Sequence, residues 1–311
     1  MPRWSLRFRN VLATLFCASL VAHSASAADY RVYYLGGQSN MDGYGYVDQL
    51  SPEQAAEVAG VMIYHGNMAP DAQPVDGRGR WDTLKAGHGV GFSSDGTENK
   101  LSNRFGVELT FARKLQALHP DEKIALIKYS RGGTSIAIEA ARNFGCWDPD
   151  FNAGDGDGAG INQYDHFLAT IKGATAVQDI DGDGEADRLI PTGIVWMQGE
   201  SDAAWDEEVA KRYEANLKRL MDLIRAALRE DDLPVAIGRI SDSGNDGDGK
   251  VWDWGDIVRQ AEADFVTKDG SAALVTSTDN YGYSDPWHYD TPGYLDLGEK
   301  FAEALSDLRK K

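Results

Sequence analysis

Five short apolar runs, spaced by stretches of helical periodicity, leave few folds open to this chain. They cover residues 30–35, 61–64, 124–129, 192–197 and 235–240. Several are apolar without alternation, the pattern of strands buried on both faces. Between them, residues 108–118 place Leu109, Ala112, Leu115 and Leu118 near one helical face. Residues 207–229 carry Tyr213, Leu217, Leu220, Leu223, Ile224 and Leu228 at three- and four-residue intervals. A last helix is expected over 292–308, with Thr291 as its cap and Pro292 at its first position. Such alternation predicts a three-layer α/β/α fold around a five-stranded parallel sheet. The long glycine- and aspartate-rich connections at 69–96, 152–160 and 241–250 carry no pattern of a second domain, and no repeat of domain size is present. One domain over residues 28–311 is therefore expected.

The first 27 residues read as a signal peptide. Arg3, Arg7 and Arg9 form a basic start, residues 11–22 form an apolar segment short for a membrane span, and Ala25-Ser26-Ala27 fits a cleavage site. The expectation is export to the periplasm or beyond, with no membrane attachment after cleavage. Cys17 leaves with the leader, so Cys146 cannot form an intrachain disulfide; with no basic residue close by, it reads as a buried thiol. The net charge is −18, and cleavage removes three more positive charges. Such a field repels nucleic acid and anionic membranes, and neither is expected as a partner.

Chemistry-bearing residues gather where the runs end. Ser39 follows the first run on a turn opened by Gly36 and Gly37, and open α/β sheets bind ligands at such carboxyl ends. Gly132 and Gly133 follow the third run and would let backbone N–H groups approach a reacting oxygen. Gln198 follows the fourth and can offer an amide donor. Asp285 precedes His288 by three residues, so one loop can fold the carboxylate onto the imidazole. An acyl-transfer serine needs these parts: a base, a group that orients it, and donors for the oxyanion. Each alone has a plainer explanation as a turn or a helix cap, so the argument rests on their conjunction. The turn is not the G-x-S-x-G elbow of α/β-hydrolases, because Met41 stands where the second glycine would.

In this order, and with the wording GQSNM at 37–41 and WMQGESD at 196–202, the chain resembles the SGNH hydrolase superfamily. The branch it is most similar to holds the sialate O-acetylesterase-like and carbohydrate esterase family 6 proteins, where glutamine replaces the usual asparagine. The resemblance runs from Gly37 to His288. It implies a flavodoxin-like sheet and a hydrolase that removes acetyl groups from carbohydrate without a cofactor. It also implies roles: Ser39 as nucleophile, His288 as general acid and base, and Asp285 as its orienter, with Glu200 the rival for that last role. The oxyanion hole would combine the Ser39 N–H, a glycine N–H at Gly132 or Gly133, and the Gln198 amide. Gly106-Val107-Glu108 departs from the family's Gly-Pro-Glu and puts the local turn in question.

The implied partner is an acetylated polysaccharide or oligosaccharide. Acetylxylan comes first, because an acidic protein disfavours polyanions; acetylated pectin and O-acetylated sialic acid stay open. One rival is an esterase or lipase of the same fold acting on other short acyl esters. Another is a binding module with a dead site, using Trp81, Trp147, Trp252 and Trp254 as sugar platforms. Separately, Asp179, Asp181, Asp183 and Asp187 sit at positions one, three, five and nine of a loop with Gly184 at six. That resembles the first part of a calcium-binding EF-hand loop, although position twelve is Ile190 instead of glutamate. The loop is either a structural Ca²⁺ site or a solvated acidic turn. The Asp155/Asp157 and Asp246/Asp248 runs fit no such spacing and read as solvated loops.

Overall fold

The computed structural model, which describes Met1 and residues 27–67, 79–152 and 162–310, turns the five apolar runs into adjacent parallel strands and adds two more. The expected leader and the Asp155/Asp157 run lie outside the described residues. In chain order the strands are β1 (Asp29–Gly37), β2 (Val61–His65), β3 (Trp81–Thr83), β4 (Lys123–Ser130), β5 (Arg188–Met197), β6 (Val235–Gly238) and β7 (Ala272–Val275). Across the sheet they run β7-β6-β5-β1-β4-β2-β3. Only β3 is antiparallel, against β2. The sheet thus has seven strands, not five. Its additions are the two edges, one three residues long and one four, too short to show a pattern. The order also departs from the expected flavodoxin-like one. The five runs lie 2-3-1-4-5, because β1 pairs with β4 and β5; a flavodoxin-like sheet would run 2-1-3-4-5.

Five longer helices cover the sheet: α1 (Glu108–Leu118), α2 (Gln163–Ala176), α3 (Tyr213–Leu228), α4 (Gly255–Lys268) and α5 (Thr291–Leu308). Neighbouring side chains of β1 show the two layers. The Tyr33 ring meets Phe111 of α1 at 5.4 Å, and Tyr34, pointing the other way, meets Phe167 of α2 at 4.8 Å. α1 packs on α5, while α3 packs on α2 and α4. The stretch expected as one helix over 207–229 is interrupted by a turn at Arg212, giving a short helix Glu207–Lys211 and then α3. At α5 the cap is one residue earlier than expected. The Asp290 carboxylate accepts the Gly293 N–H at 2.9 Å, while Thr291 lies inside the helix and its hydroxyl accepts the Tyr46 N–H. No helix among the described residues is long and apolar enough to cross a membrane. Cys146 is a buried thiol, pushed up to about 12 by its burial.

Beneath the carboxyl end of β1 lies a fully buried ion pair. Lys128 of β4 donates to Glu108 at 2.8 Å, to the carbonyl of Asp42 at 2.8 Å and to that of His88 at 2.7 Å. All three ammonium hydrogens are placed, as burial of the charge requires. The second Glu108 oxygen accepts the Gly106 N–H. Val107 has φ −72°, an angle that proline also adopts.

Candidate active site

β1 ends at Gly37, where φ is +142° and a Cβ would lie 2.0 Å from the Met197 carbonyl oxygen. No side chain fits there, and the chain turns at once. The next N–H, of Gln38, donates to that carbonyl at 2.9 Å. One helical turn follows, Ser39–Asp42, closed by the amides of Met41 and Asp42 on the Gln38 carbonyl. The amides of Ser39 and Asn40, first in the turn, have no hydrogen-bond partner among the described residues. Ser39 is 6% exposed and opens with His288 and Gly132 on a cleft of about 460 Å³.

Asn40, beside the serine, joins three loops. Its Nδ2 donates to Glu200 at 2.8 Å and to the Trp287 carbonyl at 3.2 Å. Its Oδ1 accepts from the Tyr294 hydroxyl at 2.8 Å and from the Tyr289 N–H at 3.4 Å. The turn that carries Ser39 is thereby fastened to the loop that carries His288.

The Asp285–His288 loop folds as its spacing suggested. Asp285 Oδ2 lies 2.7 Å from His288 Nδ1, and Oδ1 accepts the N–H groups of Trp287 and His288 at 2.8 and 2.9 Å. A carboxylate on Nδ1 makes that nitrogen the donor and leaves Nε2 of the neutral ring as an acceptor. Tyr44 stacks flat on the imidazole, with centroids 3.5 Å apart and planes 4° from parallel. Burial holds the His288 pKa below its ordinary 6.5; Asp285 works against this shift and the Arg104 charge adds to it. Burial alone would raise Asp285, but the bond to His288 and the two backbone amides outweigh it and keep the carboxyl low.

Glu200 does not join this pair. Its Oε1 accepts from Asn40, and its buried Oε2 has no hydrogen-bond partner. Burial pushes its pKa up to about 7, so the carboxyl keeps its proton far more readily than an exposed glutamate does. It reaches His288 only through Asn40 and the Trp287 backbone.

The glycines separate cleanly. A Cβ on Gly132 would lie 3.2 Å from the Ser39 Cβ, whereas one on Gly133 would strike the Phe144 ring. Gly132 is the one against the serine. Gln198 is not where expected: it is fully buried, and its Nε2 has three acceptors for its two hydrogens, Asp202 at 2.7 Å, the Thr134 carbonyl at 3.1 Å and Gln38 Oε1 at 3.2 Å. Its Oε1 accepts the Tyr213 hydroxyl at 2.9 Å. Every position of this amide is taken inside the protein, so the oxyanion role expected of Gln198 has no free donor behind it.

Sequence reading passed over several residues of the cleft, among them Gln38, Tyr44, Arg131, Phe144 and Trp287. Gln38 carried a signal in its place next to Ser39; the others stand on loops with no spacing to mark them. Of the four tryptophans read as sugar platforms, Trp147 and Trp81 are buried in the core and only Trp252 lines the cleft.

The acidic loop lies at the other end of the sheet, where Asp181 accepts from the hydroxyl of Tyr30 at the start of β1 and from Lys123 at the start of β4. Carboxylate oxygens of Asp179, Asp181 and Asp187 come within 4.8 Å of one another. Asp183 stands outside this group and accepts the Glu185 N–H. Asp179 caps the amides of Gly182, Asp183 and Gly184.

The family model described as carbohydrate esterase, sialic acid-specific acetylesterase matches residues 29–307. No curated protein sequence matches the chain. Among solved structures, a protein from Arabidopsis thaliana is 20% identical over 89% of this chain and 98% of its own, with a TM-score of 0.58. A novel carbohydrate acetylesterase from Xanthomonas citri is 20% identical over 89% of this chain and 56% of its own, with a TM-score of 0.60. NanS is 15% identical over 92% of this chain and all of its own, with a TM-score of 0.56. At these identities the likeness is one of fold.

Proposed function

The chain belongs to the carbohydrate esterase family of sialic acid-specific acetylesterases, and from that premise we propose an exported serine O-acetylesterase in which Ser39 and His288 carry the reaction and Asp285 orients the base. The family makes it a carboxylic ester hydrolase acting on O-acetyl groups of carbohydrate. The observation that carries the residue roles is the Asp285–His288 pair at 2.7 Å, opening on the same cleft as Ser39. Export rests on the character of the first 27 residues alone.

In the reaction His288 Nε2 takes the Ser39 proton as Oγ bonds to the acetyl carbonyl carbon. The carbonyl becomes an oxyanion facing the Ser39 and Gly132 amides. As the oxyanion collapses, the C–O bond to the sugar breaks, and His288 returns its proton to the leaving oxygen. Water then repeats the sequence on acetyl-Ser39, giving acetate and free serine. No step needs a metal.

Acetylated xylan is the first substrate proposed, on the strength of the overall negative charge. A second reading, an acetylated acidic sugar such as a sialic acid, is favoured by Arg131 and Arg142. Both line the cleft, where Asp42 is an acidic neighbour whose carboxyl the Arg131 charge draws down. Acetate release from acetylxylan, acetylated pectin and O-acetylated sialic acid is the test; no release from any of them would end the acetylesterase reading. The same assay run against pH should show an acid limb centred below 6.5, because the base works only when neutral and its pKa lies below that value. A limb above 6.5 would remove His288 from the role of base.

We also propose that Ca²⁺, if bound, sits at Asp179, Asp181 and Asp187 and acts on stability alone, since this loop is at the far end of the sheet from Ser39. An ion that binds only the folded chain should raise Tm in millimolar calcium relative to chelator. An unchanged Tm, with no metal in the purified protein, would leave a solvated turn.

A further inference from the structure

Large aromatic rings left in water are an unfavourable use of surface, and where they gather they mark a place that binds something. Among the described residues the most exposed aromatic side chains are Phe144 at 41%, Trp205 at 43% and Trp287 at 50%. All three stand at the Ser39 cleft. Trp287 lines it beside His288, its ring edge-on to the imidazole at 6.3 Å. Phe144 lines it against Gly133, where a Cβ would meet the ring at 2.6 Å. Trp205 lies beyond the cleft, next in the chain to Ala204, which lines it.

Arg142 connects Trp205 to the cleft. Its backbone is left-handed, with φ +47°, a conformation that costs a non-glycine residue energy. Its guanidinium donates to the Ala204 carbonyl at 3.3 Å and lies 5.5 Å from the centre of the Trp205 ring. The indole is thereby held in place before any ligand arrives, yet stays open to water.

We propose that Phe144, Trp205 and Trp287 form a binding surface for the sugar units next to the acetylated one, so that the substrate is a chain of pyranose units and not a free monosaccharide. The inference rests on the carbohydrate acetylesterase reading above and deepens it. The occupant follows from the reaction, because an O-acetylated carbohydrate must lie across Ser39. Pyranose rings carry C–H groups on their faces and hydroxyls round their edges. They can therefore cover a flat aromatic ring and still keep their hydroxyls in water. Tryptophan loses little freedom in such a contact, having only two side-chain torsions to fix. Trp205 lies outside the space that receives the reacting ester, so only a further unit of the chain reaches it.

Trp205→Ala tests this with substrates that differ in length alone. In the native protein kcat/KM for acetate release should be on the order of tenfold higher for mono-O-acetyl xylohexaose than for mono-O-acetyl xylose, with the gain in KM. In Trp205→Ala that gain should largely vanish. Trp205→Phe, which keeps a flat ring, should restore most of it. p-Nitrophenyl acetate, too short to reach Trp205, calibrates the active protein in each preparation. Should Trp205→Ala fail to fold, Arg142→Gly takes its place: glycine accepts the left-handed backbone, the cation that holds Trp205 is gone, and the same loss of the length gain is expected. Equal kcat/KM on the two sugars in the native protein, or a length gain that survives these substitutions, would overturn the proposal. So would a Trp205→Ala loss seen on p-nitrophenyl octanoate and not on the hexaose, which would make the rings an acyl-chain surface. A native dimer that this variant dissociates, with the length gain kept, would make them a contact between two copies. A native chain inactive on every one of these esters would instead sink the acetylesterase reading itself.

Discussion

Ser39→Ala is expected to release no measurable acetate from any substrate while melting with the native protein. Loss of a nucleophile that works with its base costs on the order of 10⁶ in kcat. Here the fold should not notice the change. The Ser39 hydroxyl makes no hydrogen bond among the described residues, and the turn that carries it is closed by backbone bonds from Met41 and Asp42. Lys128 fastens the same turn through the Asp42 carbonyl, which the substitution leaves alone. The two readouts are acetate release and Tm. Turnover within tenfold of native would mean that another group attacks the ester.

The second large effect separates the two carboxylates. Asp285→Asn should lower kcat about 10⁴-fold, as replacement of a triad aspartate by its amide can, because an amide can stabilise the wrong imidazole tautomer. Glu200→Gln should stay within several-fold, since a glutamine oxygen can still accept from Asn40. The reverse ranking would move the orienting role to Glu200, and equal moderate losses would divide it. The glutamine variant carries a second expectation. Glu200 has its folded pKa raised from 4.5 to about 7, so its contribution to stability is whole below 4.5 and lost as pH rises through about 7. Glutamine cannot ionise. Above pH 7 the variant should therefore be more stable than the native protein, by roughly 1–3 kcal/mol.

What could be read in advance followed the length scale of each signal. The runs at 61–64 and 124–129 announced central strands because both of their faces are buried, and an apolar run needs no partner to be seen. The strand Trp81–Thr83 could not be read, since three residues at an edge obey no period. Helix α1 matched its expected bounds, and the Asp285–His288 contact was legible because both residues share one loop. Contacts between loops were not. Glu200 was read as a rival partner for His288, and nothing in its own stretch says that Asn40, and not His288, bonds to it. Gln198 fails for a related reason. Its place after β5 was read correctly, but the direction of a side chain after a glycine-flanked strand end depends on which acceptors surround it. Those acceptors, Asp202 and the Thr134 carbonyl, come from its own short helix and from a distant loop. Trp147 misled because a tryptophan in a loop looks the same in sequence whether it faces sugar or, as here, meets Trp196 in the core.

The four bonds of Asn40 bear on how such a protein acquires its activity. They join residue 40 to partners 160, 247, 249 and 254 positions further along the chain. Contacts of that separation close only after large loops of chain have been ordered, which makes them slow to form. Neither the first strand nor the last helix holds a partial site by itself. During refolding the helices and neighbouring strands can recover their spectroscopic signals early, while the serine and its base wait for both ends of the chain to meet at residue 40. Regained turnover would then mark the completion of the whole domain, and a chain lacking its last forty residues would keep Ser39 without the loop that carries His288.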